Sequence, residues 1–178
     1  MTTIFTLGHS TRELADFSRV LQAHDIRLLE DIRAFPMSRR YPHFNREHLE
    51  LWLPEIGCEY LWEKELGGRR KKQMRVEDSP NVALRSPSFR NYADYMLSPQ
   101  FQKAVERLVE RAEKRKTAIM CAEYVYFRCH RMLVSDYLVS QGHTVLHIMD
   151  EKPPTEHKLS KDARMVDGRL IYRGDRLL

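Results

Sequence analysis

The sequence predicts an α/β fold: a mainly parallel, open sheet of five or six strands with helices on both faces, arranged in three layers. Short apolar runs rich in β-branched residues alternate along the chain with segments whose apolar residues recur at helical spacing. That alternation is typical of βαβ units, whose crossover connections are right-handed. Five or six strands are too few to close an eight-stranded barrel, so we expect an open sheet.

Length and composition predict one domain over residues 1–178. The chain has 178 residues, of which 42% are hydrophobic, and this is enough to build one core. No apolar run approaches the ~20 residues that cross a bilayer, and the N-terminal segment lacks the features of a signal peptide. Three cysteines without a regular framework indicate reduced thiols. We therefore expect a cytoplasmic protein with no membrane partner.

The first half of the chain begins with a predicted strand at 3–8, closed by Gly8. Ser10 and Glu13 have the spacing of a capping box, which predicts that the first helix starts at His9 and Ser10. Leu14 and the apolar residues after it continue at helical spacing. The other elements predicted in this half are a strand at 27–32, a proline-bearing loop at 33–45, a short helix at 46–57 and a strand at 58–66.

The second half begins with a polar, basic segment at about 69–88, which we interpret as a long loop. Ser98 and Pro99 have the cap and first-turn chemistry of a helix that continues to about residue 116. The remaining predicted elements are a helix at 89–97, a strand at 117–121, a helix at 130–142, a strand at 143–149 and a C-terminal hairpin at about 163–173. Asp167-Gly168 is the turn signal of that hairpin.

Polar residues follow each of the first four predicted strands. Ligands of open parallel sheets lie beyond the carboxyl ends of the strands, so we expect these residues to meet at one edge and form a pocket. The sets, in strand order, are His9 and Ser10; Asp31, Arg33, Ser38 and Arg39; Gly67, Gly68 and Arg69; and Cys121, Glu123, Cys129, His130 and Arg131.

The set after the fourth strand carries the most reactive chemistry. A cysteine at a helix start beside arginines can have a lowered pKa, so Cys129, or else Cys121, is the candidate nucleophile. Glu123 is the candidate general acid or base, with His9 or His130 nearby. Structural roles remain open for each: either cysteine can be a core residue, and Glu123 can pair with an arginine. His9 and Ser10 would give a second anion-binding helix start.

Arg33, Arg39, Arg69 and Arg131 are the candidate anion-binding residues, with Ser10, Ser38 and His130 beside them. Asp31 and Arg33 can equally form a structural ion pair. The spacing Cys121-x7-Cys129-His130 lacks the close pairs of zinc sites, and no G-x-G-x-x-G or P-loop pattern occurs, so the sequence predicts neither a metal nor a cofactor. It leaves the oligomeric state open.

Charge favours an anionic partner. The net charge is +5, and basic clusters occur at 38–40 and 67–75 with aromatic residues interleaved nearby. Arginines hold phosphates and aromatic rings stack on bases, so the expected partner is a phosphate-bearing small molecule or a nucleic acid. The leading hypothesis is a hydrolase or group transferase that acts on such a substrate. The alternatives are a non-catalytic nucleic-acid-binding module and a small regulatory or interaction domain.

Over about residues 4–172 the chain resembles the family called domain of unknown function 488. The resemblance rests on "TLGHSTR", "DIRAFPMSRRYPHFN", "YLWEKELGGRR", "FRNYADYM", "CAEYVYFRCHRMLVSDYL" and "DGRLIY". It implies an α/β domain and no particular reaction. It also implies that the following are signature positions: His9, Ser10, Asp31, Arg33, Ser38, Arg39, Gly67, Gly68, Tyr92, Cys121, Glu123, Cys129, His130 and Arg131. One departure is the aromatic "YVYF" after Glu123, which would narrow the pocket.

Overall fold

A computed structural model describes residues 1–174. These residues form a six-stranded sheet in the order β3-β2-β4-β1-β5-β6, in which β1 to β5 run parallel and β6 is antiparallel to β5. The described strands are β1 (Thr3–Gly8), β2 (Leu28–Asp31), β3 (Glu59–Trp62), β4 (Thr117–Cys121), β5 (Thr144–His147), β6 (Thr155–Glu156), β7 (Ala163–Val166) and β8 (Arg169–Tyr172). The predicted mainly parallel α/β fold is confirmed.

Five α-helices in residues 1–174 cover the two faces of this sheet: α1 (Leu14–Ala23), α2 (Arg46–Trp52), α3 (Pro87–Tyr95), α4 (Pro99–Lys114) and α5 (Arg131–Ser140). Successive side chains of a strand point to opposite faces, so each parallel strand feeds two cores. Phe5 packs in the core that contains Phe17 of α1, whereas Ile4 packs in the core that contains Phe101 of α4. The result is the three-layer arrangement.

The start of α4 agrees with the prediction, but the start of α1 does not. The Ser98 hydroxyl accepts a hydrogen bond from the Phe101 backbone N–H at 3.3 Å, as a helix cap does. In contrast, α1 begins at Leu14, and Ser10 lies outside it with φ of +52°. The backbone N–H of Ser10 donates to the carbonyl of Ala122 instead, because this segment runs beside the chain that leaves β4.

The third predicted strand is shorter than expected. β3 ends at Trp62, and a single 3-10 turn at Lys64–Leu66 follows it. The Glu63 carboxylate accepts hydrogen bonds from Arg107 and Arg111 of α4, at 2.9 and 3.2 Å, which draws this part of the chain toward the helix. The short antiparallel strand β6 was not predicted.

The basic segment at 69–88 contains only a 3-10 turn, Val76–Asp78, before α3 begins. Its second half is attached to the body of the protein. The Asn81 side chain donates to Asp94 at 2.7 Å and accepts from the Tyr172 backbone N–H at 2.9 Å, which joins the segment to α3 and to the β7–β8 hairpin. Within residues 1–174, no helix is both long and apolar enough to cross a membrane.

Candidate functional site

A cavity of about 480 Å³ opens at the carboxyl edge of the parallel strands. Its walls come from the loops that follow β2, β3 and β4 and from α3. The lining residues that the sequence had singled out are Arg33, Gly68, Arg69, Tyr92, Cys121, Glu123, Cys129 and His130. The segment after β1 lies directly behind them, since the His9 backbone N–H donates to the Cys121 carbonyl at 2.9 Å.

Two cysteine sulfurs lie at the base of the cavity. The Sγ atoms of Cys121 and Cys129 are 3.1 Å apart, well beyond the ~2.05 Å of a disulfide, and both side chains are free thiols. A hydrogen bond from Cys121 to Cys129 lowers the pKa of Cys129, with help from His130 and Arg131, whereas burial raises the pKa of Cys121. The pair therefore favours one thiolate, centred on Cys129, and one thiol.

Arg131 supplies the positive charge beside the sulfurs. The side chain is 0% exposed, and its Nε donates to the Cys121 Sγ at 3.0 Å. Its Nη1 donates to the Thr6 hydroxyl at 3.1 Å, and its Nη2 donates to the Glu123 carbonyl at 2.6 Å. Among residues 1–174 no carboxylate forms an ion pair with this guanidinium. A buried charge needs a counter-charge, and the cysteine pair is the neighbour of Arg131 that can ionise. Arg131 contacts the pair through its Nε at the Cys121 sulfur and through its backbone N–H, which donates to the Cys129 sulfur at 3.4 Å.

Gly8 makes the contact between the Arg131 guanidinium and the Glu123 carbonyl possible. The register of β1 on β4 pairs Gly8 with Cys121, and the backbone after β4 turns back across Gly8. A Cβ atom on Gly8 would lie 1.6 Å from the Glu123 carbonyl oxygen and 3.0 Å from Nη2 of Arg131. Only glycine leaves room for the carbonyl that receives the guanidinium.

Arg33 lies at the cavity wall, but the carboxylate of Asp31 already balances its charge. Its Nε donates to Asp31 Oδ1 at 2.9 Å and its Nη2 to Oδ2 at 2.7 Å, a two-pronged ion pair between side chains that are 6% and 0% exposed. Tyr60 also donates to Asp31, and Nη2 of Arg33 donates to the Phe44 carbonyl. The structural ion pair that the sequence left open is the arrangement observed.

His9 is held between Arg33 and Phe44. Its Nδ1 donates to the Ser10 carbonyl at 2.9 Å, so its Nε2 accepts from Nη1 of Arg33 at 3.4 Å. Its ring stacks on Phe44 with centroids 4.4 Å apart. Burial lowers the pKa of His9 to about 4, which agrees with a neutral imidazole. His9 thus supports Arg33 and is not among the lining residues of the cavity.

His130 and Tyr92 form another wall. His130 Nε2 donates to the Ile32 carbonyl at 2.7 Å, and its ring lies 5.2 Å from that of Tyr92, whose hydroxyl donates to the Leu66 carbonyl. The ring also packs on Gly68, where a Cβ would lie 2.5 Å from His130 Nδ1. The second glycine of "GG" is therefore needed for the close approach of the histidine.

The rim is charged and aromatic. Glu123, Arg69 and Arg128 are exposed there, and Arg69 lies 5.5 Å from the centroid of the Phe35 ring. Glu123 contacts Arg131 through its backbone carbonyl, so its carboxylate is not the partner of that arginine.

Six predicted site residues do not line the cavity: His9, Ser10, Asp31, Ser38, Arg39 and Arg131. The Ser38 hydroxyl accepts from the Tyr41 backbone N–H at 3.0 Å, a role in shaping its own loop, and Arg39 is exposed. His9 and Ser10 do not lie at a helix start either, so the second anion-binding helix start predicted there is wrong.

Sequence reasoning missed several residues behind the site, notably Thr6, His147 and Asp136. Their signal in the sequence is weak, because a threonine in a strand and a histidine near a strand end are ordinary. Within residues 1–174, no group of three or more His, Cys, Asp or Glu side chains is arranged as a metal site.

The fold and the site define a three-layer α/β protein with a cysteine pair and a buried arginine at the carboxyl edge of its sheet. The chain belongs to the family described as Domain of unknown function DUF488, whose family model matches residues 13–138. Comparisons with curated proteins and with solved structures find no match.

Proposed function

We propose that this protein is a cysteine-dependent hydrolase or group transferase that acts on a phosphate-bearing substrate, such as a nucleotide or a nucleic acid. The observation that carries the proposal is the buried guanidinium of Arg131, which contacts a sulfur instead of a carboxylate. A cation in that position favours the thiolate, which is the reactive form of cysteine. The proposal places the protein in the cytoplasm, where thiols stay reduced.

The lining residues divide into a nucleophile, an anion-binding rim and a proton donor. The Cys129 thiolate attacks the electrophilic atom of the substrate, and the leaving group departs with its bonding pair. Glu123, exposed at the rim, donates a proton to that leaving group. Water in a hydrolase, or an acceptor hydroxyl in a transferase, then displaces the sulfur after giving its proton to Glu123. This second displacement restores the thiolate and the carboxylic acid.

Arg69 and Arg128 are the residues that hold the substrate anion, because both line the cavity and neither forms an ion pair with a carboxylate in the described part of the chain. Arg33 contributes less, since Asp31 balances its charge. Phe35, whose side chain is exposed at the cavity wall, offers aromatic surface that suits a nucleobase.

The first test measures where and at what pH iodoacetamide reacts with the folded protein. We expect Cys129 to be alkylated at pH 6, because its thiolate persists there. Cys58 is the internal control, because burial raises the pKa of its thiol to about 12. Cys129→Ser should abolish labelling and Cys121→Ser should leave Cys129 reactive. Labelling of neither Cys121 nor Cys129 would contradict the nucleophile assignment.

The second test identifies the substrate class. Thermal-shift measurements with nucleotides and sugar phosphates should raise the Tm, since a ligand at 100 times its Kd stabilises a protein by about 2.7 kcal/mol. Once a substrate is found, Glu123→Gln should abolish turnover and leave binding nearly unchanged. Glu156→Gln, an exposed position on β6, is the control. Full activity of Glu123→Gln would remove the proton-donor role.

A non-catalytic nucleic-acid-binding module is the second candidate. Exposed basic residues of two segments adjoin the cavity, because Arg69 contacts Phe35, three positions before Ser38-Arg39-Arg40. Binding of this kind depends steeply on salt, and Lys71→Ala with Lys72→Ala would weaken it uniformly across sequences. It would also be unaffected by alkylation of Cys129, which separates this candidate from the enzyme.

A further inference from the structure

A row of buried polar side chains lies behind the cysteine pair, away from the cavity. The Thr6 hydroxyl contacts His147 Nδ1 at 2.7 Å, and His147 Nε2 contacts His157 Nδ1 at 2.8 Å. His157 Nε2 contacts Asp136 Oδ1 at 2.7 Å. All four residues are buried, and none of them lines the cavity.

Asp136 determines the direction of the hydrogen bond at one end of the row. Its two carboxylate oxygens accept hydrogen bonds from His157, from the Ser160 backbone N–H at 3.0 Å, from the Ser160 hydroxyl at 2.7 Å and from the Tyr172 hydroxyl at 2.8 Å. With this many donors around it, Asp136 acts only as an acceptor. His157 must therefore carry a proton on Nε2.

Arg131 fixes the other end, because a guanidinium only donates. Its Nη1 donates to the Thr6 hydroxyl at 3.1 Å. With both histidines neutral, only one arrangement lets each of the three residues between these ends donate one hydrogen bond along the row and accept one. Arg131 donates to Thr6, Thr6 to His147, His147 to His157, and His157 to Asp136. Burial lowers the pKa of His147 to about 3, which keeps that imidazole neutral.

Packing holds the row against the site. The register of β1 on β5 pairs Thr6 with His147, so the two side chains share one face of the sheet. The His147 ring stacks on Tyr126 with centroids 3.6 Å apart and planes at 1°. Tyr126 belongs to the segment that joins Glu123 to Cys129, so the same histidine also braces the loop that carries the sulfurs.

The row cannot carry a proton away from the sulfurs. Arg131 stands between it and Cys121, and a guanidinium donates hydrogen bonds but has no lone pair that could accept a proton from the sulfur. What the row can do is fix the plane of the guanidinium, since it binds Nη1 while the Glu123 carbonyl binds Nη2. Nε is then directed at the Cys121 sulfur.

We propose that Thr6, His147, His157 and Asp136 are positioning residues that hold the Arg131 guanidinium against the sulfur of Cys121, the hydrogen-bond partner of Cys129. The inference rests on the proposed function, since it concerns the reactivity of the same cysteine pair. The ionisable groups that face the pair from the surrounding elements are Tyr92 from α3, His130 and Arg131 from the start of α5, and Arg33, Glu123 and Arg128 from the cavity wall. The substitutions below leave all of them in place.

The test is the pH profile of Cys129 alkylation by iodoacetamide in the full chain with Thr6→Val. Valine has the shape of threonine but no hydroxyl, so Nη1 loses its acceptor and the guanidinium is free to turn away from the sulfur. We expect alkylation at pH 4, near the pKa of Cys129, to slow by about three- to tenfold and the midpoint of the profile to move upward. Thr6→Ser, which keeps the hydroxyl, should restore the wild-type profile.

Thr117→Val is the matched control, because Thr117 is also a fully buried strand threonine but its hydroxyl donates to the Arg115 carbonyl at the other end of the sheet. It should lower the Tm as Thr6→Val does and leave the profile unchanged. A profile of Thr6→Val equal to that of Thr117→Val, or one displaced downward, overturns the positioning role while the thiolate itself stands. Absence of Cys129 alkylation at pH 6 in the wild type would instead defeat the proposed function.

A second measurement needs no variant. Nitrogen NMR shifts of the wild-type protein report which ring nitrogen of each histidine carries the proton. The row requires Nε2–H on both His147 and His157 at pH 7. A proton on Nδ1 of either ring, or a charged ring, would break the order of donors and overturn the inference, even if Thr6→Val failed to fold.

Discussion

Two buried arginines follow neighbouring central strands of the same sheet, and they are neutralised in different ways. Arg33, after β2, is paired with the carboxylate of Asp31. Arg131, after β4, has no carboxylate partner in the described part of the chain and contacts Cys121 instead. The first is a two-pronged ion pair between a guanidinium and a carboxylate. The second is a contact with a cysteine pair, which carries a negative charge only as a thiolate and loses that charge when the thiolate is alkylated.

Each arginine is also braced by a buried histidine. His9 contacts Arg33 directly, whereas His147 reaches Arg131 through Thr6. The comparison teaches that an arginine beyond the carboxyl end of one strand is neutralised by a carboxylate, whereas an arginine beyond the next strand contacts a sulfur, which in the proposed function is part of the reactive pair. Three changes test this distinction.

Gly8→Ala should have the largest effect, because it attacks the backbone on which the Arg131 site is built. The added Cβ would lie 1.6 Å from the Glu123 carbonyl oxygen, and backbone cannot yield as a flexible side chain can. We expect a loss of more than about 4 kcal/mol in the free energy of unfolding, measured by urea denaturation. Gly142→Ala is the control: it has open space but a φ of +88°, so it should cost only about 1 kcal/mol. Equal losses would contradict the clash.

Arg33→Met should cost more stability than Arg131→Met at pH 7. Without its partner Asp31 is an unpaired buried carboxylate, and protonating a group of ordinary pKa ~3.9 at pH 7 costs about 4 kcal/mol. A thiol of ordinary pKa ~8.5 is protonated at pH 7 at almost no cost, so Arg131→Met should lose about 1–3 kcal/mol from unpaired hydrogen bonds.

In the alkylation experiment the same two variants should rank in the opposite order, with the larger effect in Arg131→Met. Arg131→Met removes the counter-charge of the thiolate, so the midpoint of the Cys129 alkylation profile should rise. A rise of the pKa from about 4 to about 6 would halve the alkylation rate at pH 6 and lower it about 50-fold at pH 4. Arg33→Met should leave the profile unchanged. Urea unfolding measures the loss of stability in both variants, and alkylation mapped by mass spectrometry measures the loss of Cys129 reactivity. If the same variant showed the larger loss in both experiments, the distinction between the two arginines would be refuted.

The smallest of the three effects is the dependence of stability on pH through His9. Burial lowers the pKa of His9 from 6.5 to about 4 in the folded protein. Between these values the unfolded chain binds more protons, so stability is complete above pH 6.5 and declines as the pH falls toward 4. The contribution is about 3 kcal/mol, at 1.36 kcal/mol for each pKa unit.

His9→Gln should therefore flatten the fall of stability between pH 6.5 and 4, measured as the urea midpoint at several pH values. His48→Gln, at an exposed position on α2, should not. His147, whose pKa burial lowers to about 3, contributes in the same direction and remains in both variants, so their difference isolates His9. An unchanged slope in His9→Gln would mean that His9 is not held neutral beside Arg33.

Local patterns were enough to predict most of the fold. The strand at 117–121 and the helix capped by Ser98 were predicted at their observed positions, because apolar periodicity and cap chemistry depend on neighbours in the sequence. The capping box at Ser10 failed because the backbone there is bound to Ala122, more than a hundred residues away. A local signal cannot include such a partner.

The sequence by itself determined the order of strands and helices and the reactive residue types that follow each strand, since both are properties of short segments. Only the tertiary structure decided which of those residues touch. The register of β1 against β4 and β5 brings Gly8 beside Cys121 and Thr6 beside His147, and that register comes from the packing of both sheet faces. The same packing gives Arg131 a sulfur as its partner and leaves Ser38 and Arg39 outside the pocket.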